Sequence, residues 1–130
     1  MRKDPIIANP AHQLGFRAEG AVAAWLISCG WLVLGRRIRT SAGELDLVVR
    51  DPAGALVAVE VKCRSGGRAG SATDGLGPRQ VRRLRRALVE YRARLTDDLP
   101  SEMRVDLVSV EKSGRANQWC LRRVPQVDAW

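Results

Sequence analysis

Three side chains near the middle of the chain have the types and spacing to cut a phosphodiester: Asp46, and then Glu60 and Lys62, two residues apart. Two carboxylates that converge repel each other unless a cation lies between them. A hard divalent ion such as Mg²⁺ takes one or two carboxylates and leaves its remaining positions to water and substrate phosphate. An ammonium alongside can hold the scissile phosphate or orient the attacking water, while the metal polarises the phosphoryl oxygen and acidifies its bound water. The spacing becomes a site only if the backbone brings residue 46 next to residue 60.

The stretch from Gly43 to Arg64 supplies such a backbone. Two alternating, β-branched runs flank Pro52-Ala53-Gly54, which reads as a β-hairpin with a three-residue loop, proline opening a type I turn and glycine in the left-handed position. Asp51 then faces Ala55. Carried outward, the register pairs Val49 with Val57, Leu47 with Val59 and Leu45 with Val61, giving one continuous apolar face. The other face carries Asp46 opposite Glu60 and Glu44 opposite Lys62. Directly opposed β-carbons lie about 4.5–5.5 Å apart, so both acids can reach one cation. Glu44 has two readings, a further metal carboxylate or the salt-bridge partner of Lys62.

The flanking elements follow from punctuation and periodicity. Asn9 and Pro10 open a helix that Gly30 closes near residue 29, with Leu14, Ala18, Val22, Trp25 and Cys29 as its apolar stripe. Glu19 lies about 100° from the centre of that stripe, at its border, where it either reaches an adjacent site or is a solvated helix charge. A strand is expected over 31–39, a second helix over 78–95 with Val81, Leu84, Leu88, Tyr91 and Leu95 inward, a strand over 103–111 and an edge strand over 118–124. A strand, crossover helix and strand favour parallel pairing of the hairpin's second strand with the strand at 103. Asp106 in that strand is either a further ligand or the structural partner of an arginine. The glycine-rich stretch 65–77 either closes over substrate or is a plain connection. Residues 1–9 read as a flexible arm and 10–130 as a single domain, with Trp130 folding back on the core.

The second helix is crowded with arginine. Residues 79–94 hold seven arginines and one acid, Glu90, which concentrates +6 of the formal net charge of +8. Together with a pI near 10.6 this favours a polyanionic partner, because a phosphate backbone relieves the repulsion of so many like charges. Arg64, Arg79, Arg82, Arg83 and Arg86 are the candidate phosphate contacts; the alternative is a solvated helix face. Trp25 and Tyr91 belong to core stripes and the other aromatics are scattered, so recognition through phosphates and duplex or junction shape is expected over a stacking platform.

A chain of 130 residues makes one domain. Cys29, Cys63 and Cys120 are odd in number and widely spaced, and His12 is the single histidine, so buried thiols in a reducing cytoplasm are expected, not disulfides or a zinc site. No run approaches the roughly 18 apolar residues of a membrane span, and no signal-peptide hydrophobic region is present. A cytoplasmic location with no membrane partner follows.

Asp46 followed by Glu60-Val61-Lys62 resembles the D…(D/E)-x-K signature of the restriction-endonuclease-like nuclease superfamily. The wider series Gly15-x-x-x-Glu19, Gly43-Glu44-Leu45-Asp46-Leu47, Glu60-Val61-Lys62-x-Arg64, Arg79-Gln80 and Arg104-Val105-Asp106 is similar, over about residues 12–130, to the YraN-like family of uncharacterised bacterial proteins. A more distant likeness is to archaeal Holliday-junction resolvases, which also carry a glutamate on the first helix. Leu45 stands where restriction enzymes often have proline, and Arg37 and Arg79 where YraN-like proteins usually have asparagine and lysine. The resemblance implies an α/β fold with a restriction-endonuclease-like αβββαβ core, a mixed central sheet flanked by helices. It also implies a Mg²⁺- or Mn²⁺-dependent endonuclease acting on double-stranded or branched DNA. Asp46 and Glu60, with Glu44 as a candidate addition, would bind metal. Glu19, Asp46, Glu60 and Lys62 would be catalytic. The likeness to resolvases brings in a homodimer as a candidate assembly. The alternative is a non-catalytic nucleic-acid-binding or recombination accessory module on the same scaffold.

Overall fold

Proline at the first helical position and a left-handed glycine beyond the last fix the first element. Helix α1 runs Pro10–Ser28, and Gly30, with φ +90°, lets Trp31 N–H return to the Leu26 carbonyl at 3.0 Å. The computed structural model of the protein describes residues 10–64, 76–96, 99–112 and 119–125. The expected arm at 1–9, most of the glycine-rich stretch, 65–75, and Trp130 lie outside the described residues.

After α1 come strands β1 (Leu32–Thr40), β2 (Gly43–Arg50) and β3 (Leu56–Arg64), helix α2 (Pro78–Ala93), and strands β4 (Met103–Lys112) and β5 (Trp119–Val124). They form one five-stranded sheet in the order β1-β2-β3-β4-β5, antiparallel except for the parallel β3–β4 pair spanned by the α2 crossover. The αβββαβ core with an added edge strand is therefore present, with each expected element within two residues of its place.

The hairpin loop folds as its residues require. Asp51 N–H bonds the Ala55 carbonyl at 3.0 Å, Gly54 takes φ +99°, and Asp51 Oδ1 accepts from the Ala53 and Ala55 amides. The pairing Leu47↔Val59 and Val49↔Val57 follows. Beyond Leu47 and Val59 the ladder stops, so the expected rungs Leu45–Val61, Asp46–Glu60 and Glu44–Lys62 do not form.

One further expectation, that of buried thiols, is corrected. The site's charged residues lie near one end of the hairpin, and α2 covers the rest of that face. On that side Leu84, Ala87 and Leu88 pack on Leu45, Val48, Leu56, Ala58 and Val105. On the other side Ala18, Val22, Ala23 and Leu26 of α1 pack on Leu47, Val49, Val57, Val59, Val108 and Val110. The sheet is buried on both faces, which is why Leu56-Val57-Ala58-Val59 is an unbroken apolar run. Cys29, Cys63 and Cys120 are exposed free thiols: Cys29 follows the last residue of α1, Cys63 comes late in β3, and Cys120 is on the edge strand β5. Trp25 and Tyr91 do pack against the core. Among the described residues no helix is long and apolar enough to cross a membrane.

Leu45 lies on the α2 side although Leu47 lies on the α1 side, and the same change occurs in β1. Arg36, partner of Leu47, reaches α1, whereas Ile38, partner of Leu45, packs towards α2. The rung between, Arg37 with Asp46, is missing from the ladder, and Arg37 has φ +50°. Both strands thus reverse their facing at one position.

The opposite end of the hairpin is closed by charge. Asp106 is fully buried and accepts from Arg104 Nε at 2.9 Å and Arg123 Nη1 at 3.0 Å, while Arg104 Nη1 donates to Asp51 Oδ2 at 2.6 Å. Asp106 is thus the structural partner of arginines. Breaking such a network leaves a buried charge uncompensated, at a cost of roughly 3–5 kcal/mol. Arg104→Ala is expected to lower unfolding stability by about that amount in a denaturant titration; a loss under about 1 kcal/mol would show that the network contributes little.

Candidate active site

Where the β2–β3 ladder ends, a side chain takes over from the backbone. Asp46 Oδ2 accepts the Val61 N–H at 2.9 Å, so the carboxylate takes the place of a backbone acceptor there. Glu60, the residue before Val61, turns towards α2, and its carboxyl shares a hydrogen bond with Asp46. The two acids therefore meet, as the sequence suggests, through their side chains and not as a cross-strand pair.

Both groups resist ionisation. Glu60 is 9% exposed, and burial, followed by the Asp46 charge, pushes its carboxyl up to about 8; Lys62 and Arg83 lie close enough to oppose that rise. Burial also raises Asp46, against the Val61 amide and the Glu60 hydrogen bond, which favour its charged form. Each carboxylate makes its neighbour harder to ionise. They are hard oxygen donors whose repulsion a divalent cation would relieve, which fits Mg²⁺ or Mn²⁺.

Gln80 is a site residue to which the sequence reading gave no role. Pro78 starts α2, Gln80 lies in its first turn, and Gln80 Nε2 donates to Glu60 Oε2 at 3.0 Å. The signal in the sequence was the Arg79-Gln80 pair at the start of a helix that crosses over from the acidic strand. Arg83 approaches along the same side of α2. Its flexible guanidinium occupies the space where a side chain on Gly43 would begin, and it is the backbone conformation of Gly43, φ +138°, that favours glycine there.

Glu19 approaches from α1. It is 7% exposed, with Arg37 Nε donating to its Oε1 at 2.8 Å and Arg37 Nη2 to its Oε2 at 3.5 Å. Burial is the larger influence and raises its pKa; the Arg37 hydrogen bond works the other way, and Asp46 adds to the rise. Glu19 is thus a buried, arginine-bound acid at the margin of the pair, not a solvated helix charge. Glu44 is exposed and pairs with Arg39 on β1, while on its other side the β2–β3 ladder has already ended at Leu47 and Val59, so the Glu44–Lys62 rung does not form; its charge is nonetheless felt by Asp46. Among the described residues no three His, Cys, Asp or Glu side chains come together as a metal-binding group. What the fold assembles is the Asp46–Glu60 pair, with half-buried Lys62 two residues along the same strand.

Of the candidate phosphate contacts, Arg79, Arg82 and Arg86 are exposed on α2 and Arg83 is half-buried beside Glu60. Arg64 ends β3 opposite Glu111, and its side chain lies outside the described residues. An open crevice of about 600 Å³ on the outer side of α2 is lined by Arg82, Arg85, Arg86, Val89 and Glu90. The other basic residues of the helix have structural partners. Arg92 donates to the Pro100 carbonyl and Arg94 to the Arg39 carbonyl, both at 2.7 Å. Glu90 accepts from Ser41 Oγ at 2.6 Å and from the Ser41 amide at 3.0 Å, tying α2 to the β1–β2 turn.

With this geometry in view, the comparison with known proteins is direct. The family described as "Uncharacterised protein family UPF0102" matches residues 18–110, from α1 into β4. The chain belongs to that family. A UPF0102 protein of Deinococcus radiodurans is 44% identical over 96 residues, 72% of this chain and 77% of the relative. One from Acidiphilium cryptum is 46% identical over 98 residues, 75% of this chain and 74% of the relative. A third, from Parvibaculum lavamentivorans, is 41% identical over 107 residues, 82% and 78% of the two chains. The matched region contains Glu19, Asp46, Glu60, Lys62 and Gln80.

The raised Glu60 pKa has a signed consequence for stability. Between its unfolded value near 4.5 and its folded value near 8 the native state binds the extra proton, so stability present at the acidic side of that window is lost as pH rises through it. In the presence of a chelator the thermal midpoint is expected to fall between pH 5.5 and 8.5, and Glu60→Gln, which keeps a neutral group in contact with Asp46, should flatten that fall. An unchanged slope in the variant would mean that Glu60 is not the group responsible.

Proposed function

We propose that this protein binds nucleic acid and hydrolyses phosphodiesters with Mg²⁺ or Mn²⁺, as a DNA endonuclease of the restriction-endonuclease-like type with a preference for substrate shape. The observation that carries the reading is the approach of the Asp46 and Glu60 carboxyls beside Lys62, in the second half of the hairpin and next to an arginine-rich helix. In this reading Asp46 and Glu60 hold the metal, which supplies Lewis-acid polarisation of the phosphoryl oxygen and a more acidic water. Gln80 holds the Glu60 carboxyl through its Oε2. Lys62 holds the scissile phosphate or orients the water. Glu19, kept in place by Arg37, contributes a water contact at the margin. Arg79, Arg82, Arg83 and Arg86, with Arg64 at the end of β3, hold the flanking phosphates, an interaction that weakens as salt rises.

A second reading, a non-catalytic nucleic-acid-binding or recombination accessory module, is favoured by two observations. Glu19 is engaged by Arg37, and no three acids converge among the described residues. Turnover separates the two. Labelled linear, flapped and four-way DNA incubated with Mg²⁺, Mn²⁺ or EDTA is expected to be cut only with metal. Asp46→Asn should abolish cutting, and Lys62→Ala should lower it about 10²-fold or more with binding little changed. Salt-sensitive binding with no cutting under any metal would establish the accessory role instead.

A further inference from the structure

The aromatic residues look scattered in the sequence, yet one of them stands at the edge of the candidate site. Phe16, on the second turn of α1, is 50% exposed. The Arg36 guanidinium carbon lies 4.6 Å from its ring centroid and that of Arg37 5.0 Å. Arg36 is held there: its Nη2 donates to the Phe16 carbonyl at 3.0 Å and lies 3.9 Å from Glu19 Oε1, and its guanidinium packs over Gly20, where a side-chain carbon would come within 3.8 Å of it. Arg37 spans from the ring to Glu19, and the Glu19 charge acts on Asp46. Phe16 is thus one guanidinium and one carboxylate away from the acid pair.

We infer that Phe16, framed by Arg36 and Arg37, is a stacking site for an unpaired nucleobase whose phosphate lies towards Asp46 and Glu60. This rests on the nucleic-acid reading above and deepens it, assigning as substrate a strand with an unstacked nucleotide, such as a flap or single-stranded tail, over fully paired duplex. The chemistry favours a nucleotide over an apolar partner. The ring is half exposed and carries two guanidiniums over it, so a base stacking on its exposed part meets aromatic surface and positive charge together. A base inside an intact duplex has its faces covered by its neighbours and cannot use such a ring. Arg37, with φ +50°, is turned out of the ladder at the rung where Asp46 leaves it, which brings the two groups to one place.

The test is equilibrium binding of a mixed-sequence single-stranded oligonucleotide, a flapped duplex and the fully paired duplex, with EDTA present so that nothing is cut. Phe16→Leu keeps an apolar side chain on α1 and removes the π-face, and Phe16→Trp enlarges it; thermal midpoints check that both fold. The expected result is that Phe16→Leu weakens single-strand and flap binding about tenfold, leaves duplex binding within twofold and does not alter the slope of log affinity against log salt, since no phosphate contact is lost. Phe16→Trp should retain or strengthen flap binding. Equal affinity of wild type and Phe16→Leu for all three DNAs would overturn the stacking site while leaving the nucleic-acid reading intact. Failure of the wild type to bind any of them would overturn both.

Discussion

The hydrogen bond from the Val61 amide to the Asp46 carboxylate is the constraint on which the site depends. Up to Leu47 and Val59 the β2–β3 hairpin is an ordinary antiparallel ladder, and past that point a continued ladder would pair backbone with backbone. There the Asp46 carboxylate takes the amide in place of a backbone carbonyl. On the other side of β2 the Arg37–Asp46 rung alone is missing, and the β1–β2 pairing resumes at Ile38 and Leu45. Glu60 faces α2 by the ordinary alternation of β3, and Arg37 reaches Glu19 on α1. Gln80 contacts Glu60 from one face of the sheet and Glu19 reaches towards Asp46 from the other.

Burial and ion pairing pull the acids in opposite directions, and the outcome differs from one to another. At Glu60, desolvation and the neighbouring Asp46 charge outweigh Lys62 and Arg83, so a proton is retained near neutrality. Asp51, more exposed and in contact with Arg104, has its pKa lowered instead. The difference lies in how many donors reach each group before water is excluded. A carboxylate with three donors at a surface turn ionises readily; one that shares its contacts with a second carboxylate does not.

Much of this architecture was legible from local chemistry. Pro52 and Gly54 set the hairpin loop, Pro10, Gly30 and Pro78 bounded the helices, and the crossover from β3 to β4 required a parallel pair. Legibility failed where a decision belonged to the tertiary structure. Strict alternation put Leu45 with Leu47, and nothing in the sequence of β1 or β2 announces that both strands reverse facing at Arg37 and Asp46. The rungs expected for Asp46–Glu60 and Glu44–Lys62 fail for the same reason. The chemistry at residues 46, 60 and 62 survives that error because the side chains are long enough to converge after the ladder has ended. Exposure of the three thiols was equally hidden, since hydrophobic character says little about a residue at an element's end or on an edge strand. Gln80 could be placed in sequence but acquired a partner only when α2 was laid over β3.

Two neighbouring clusters beside β3 hold their charges in contrasting ways, for Asp106 pairs with Val59, the residue before Glu60. Around Asp51, Arg104, Asp106 and Arg123 every acid faces a guanidinium, and Trp31 lies 5.0 Å from the Arg123 guanidinium carbon, so that cluster is a reserve of stability. At Asp46 and Glu60 two acids act on each other and an arginine is bent into a left-handed backbone, so the native state is weakened there. Stability and chemical readiness trade against each other when they compete for the same residues. Here they draw on different side chains, which leaves the hairpin turn and β5 free to compensate for changes that sharpen or retune the acid pair.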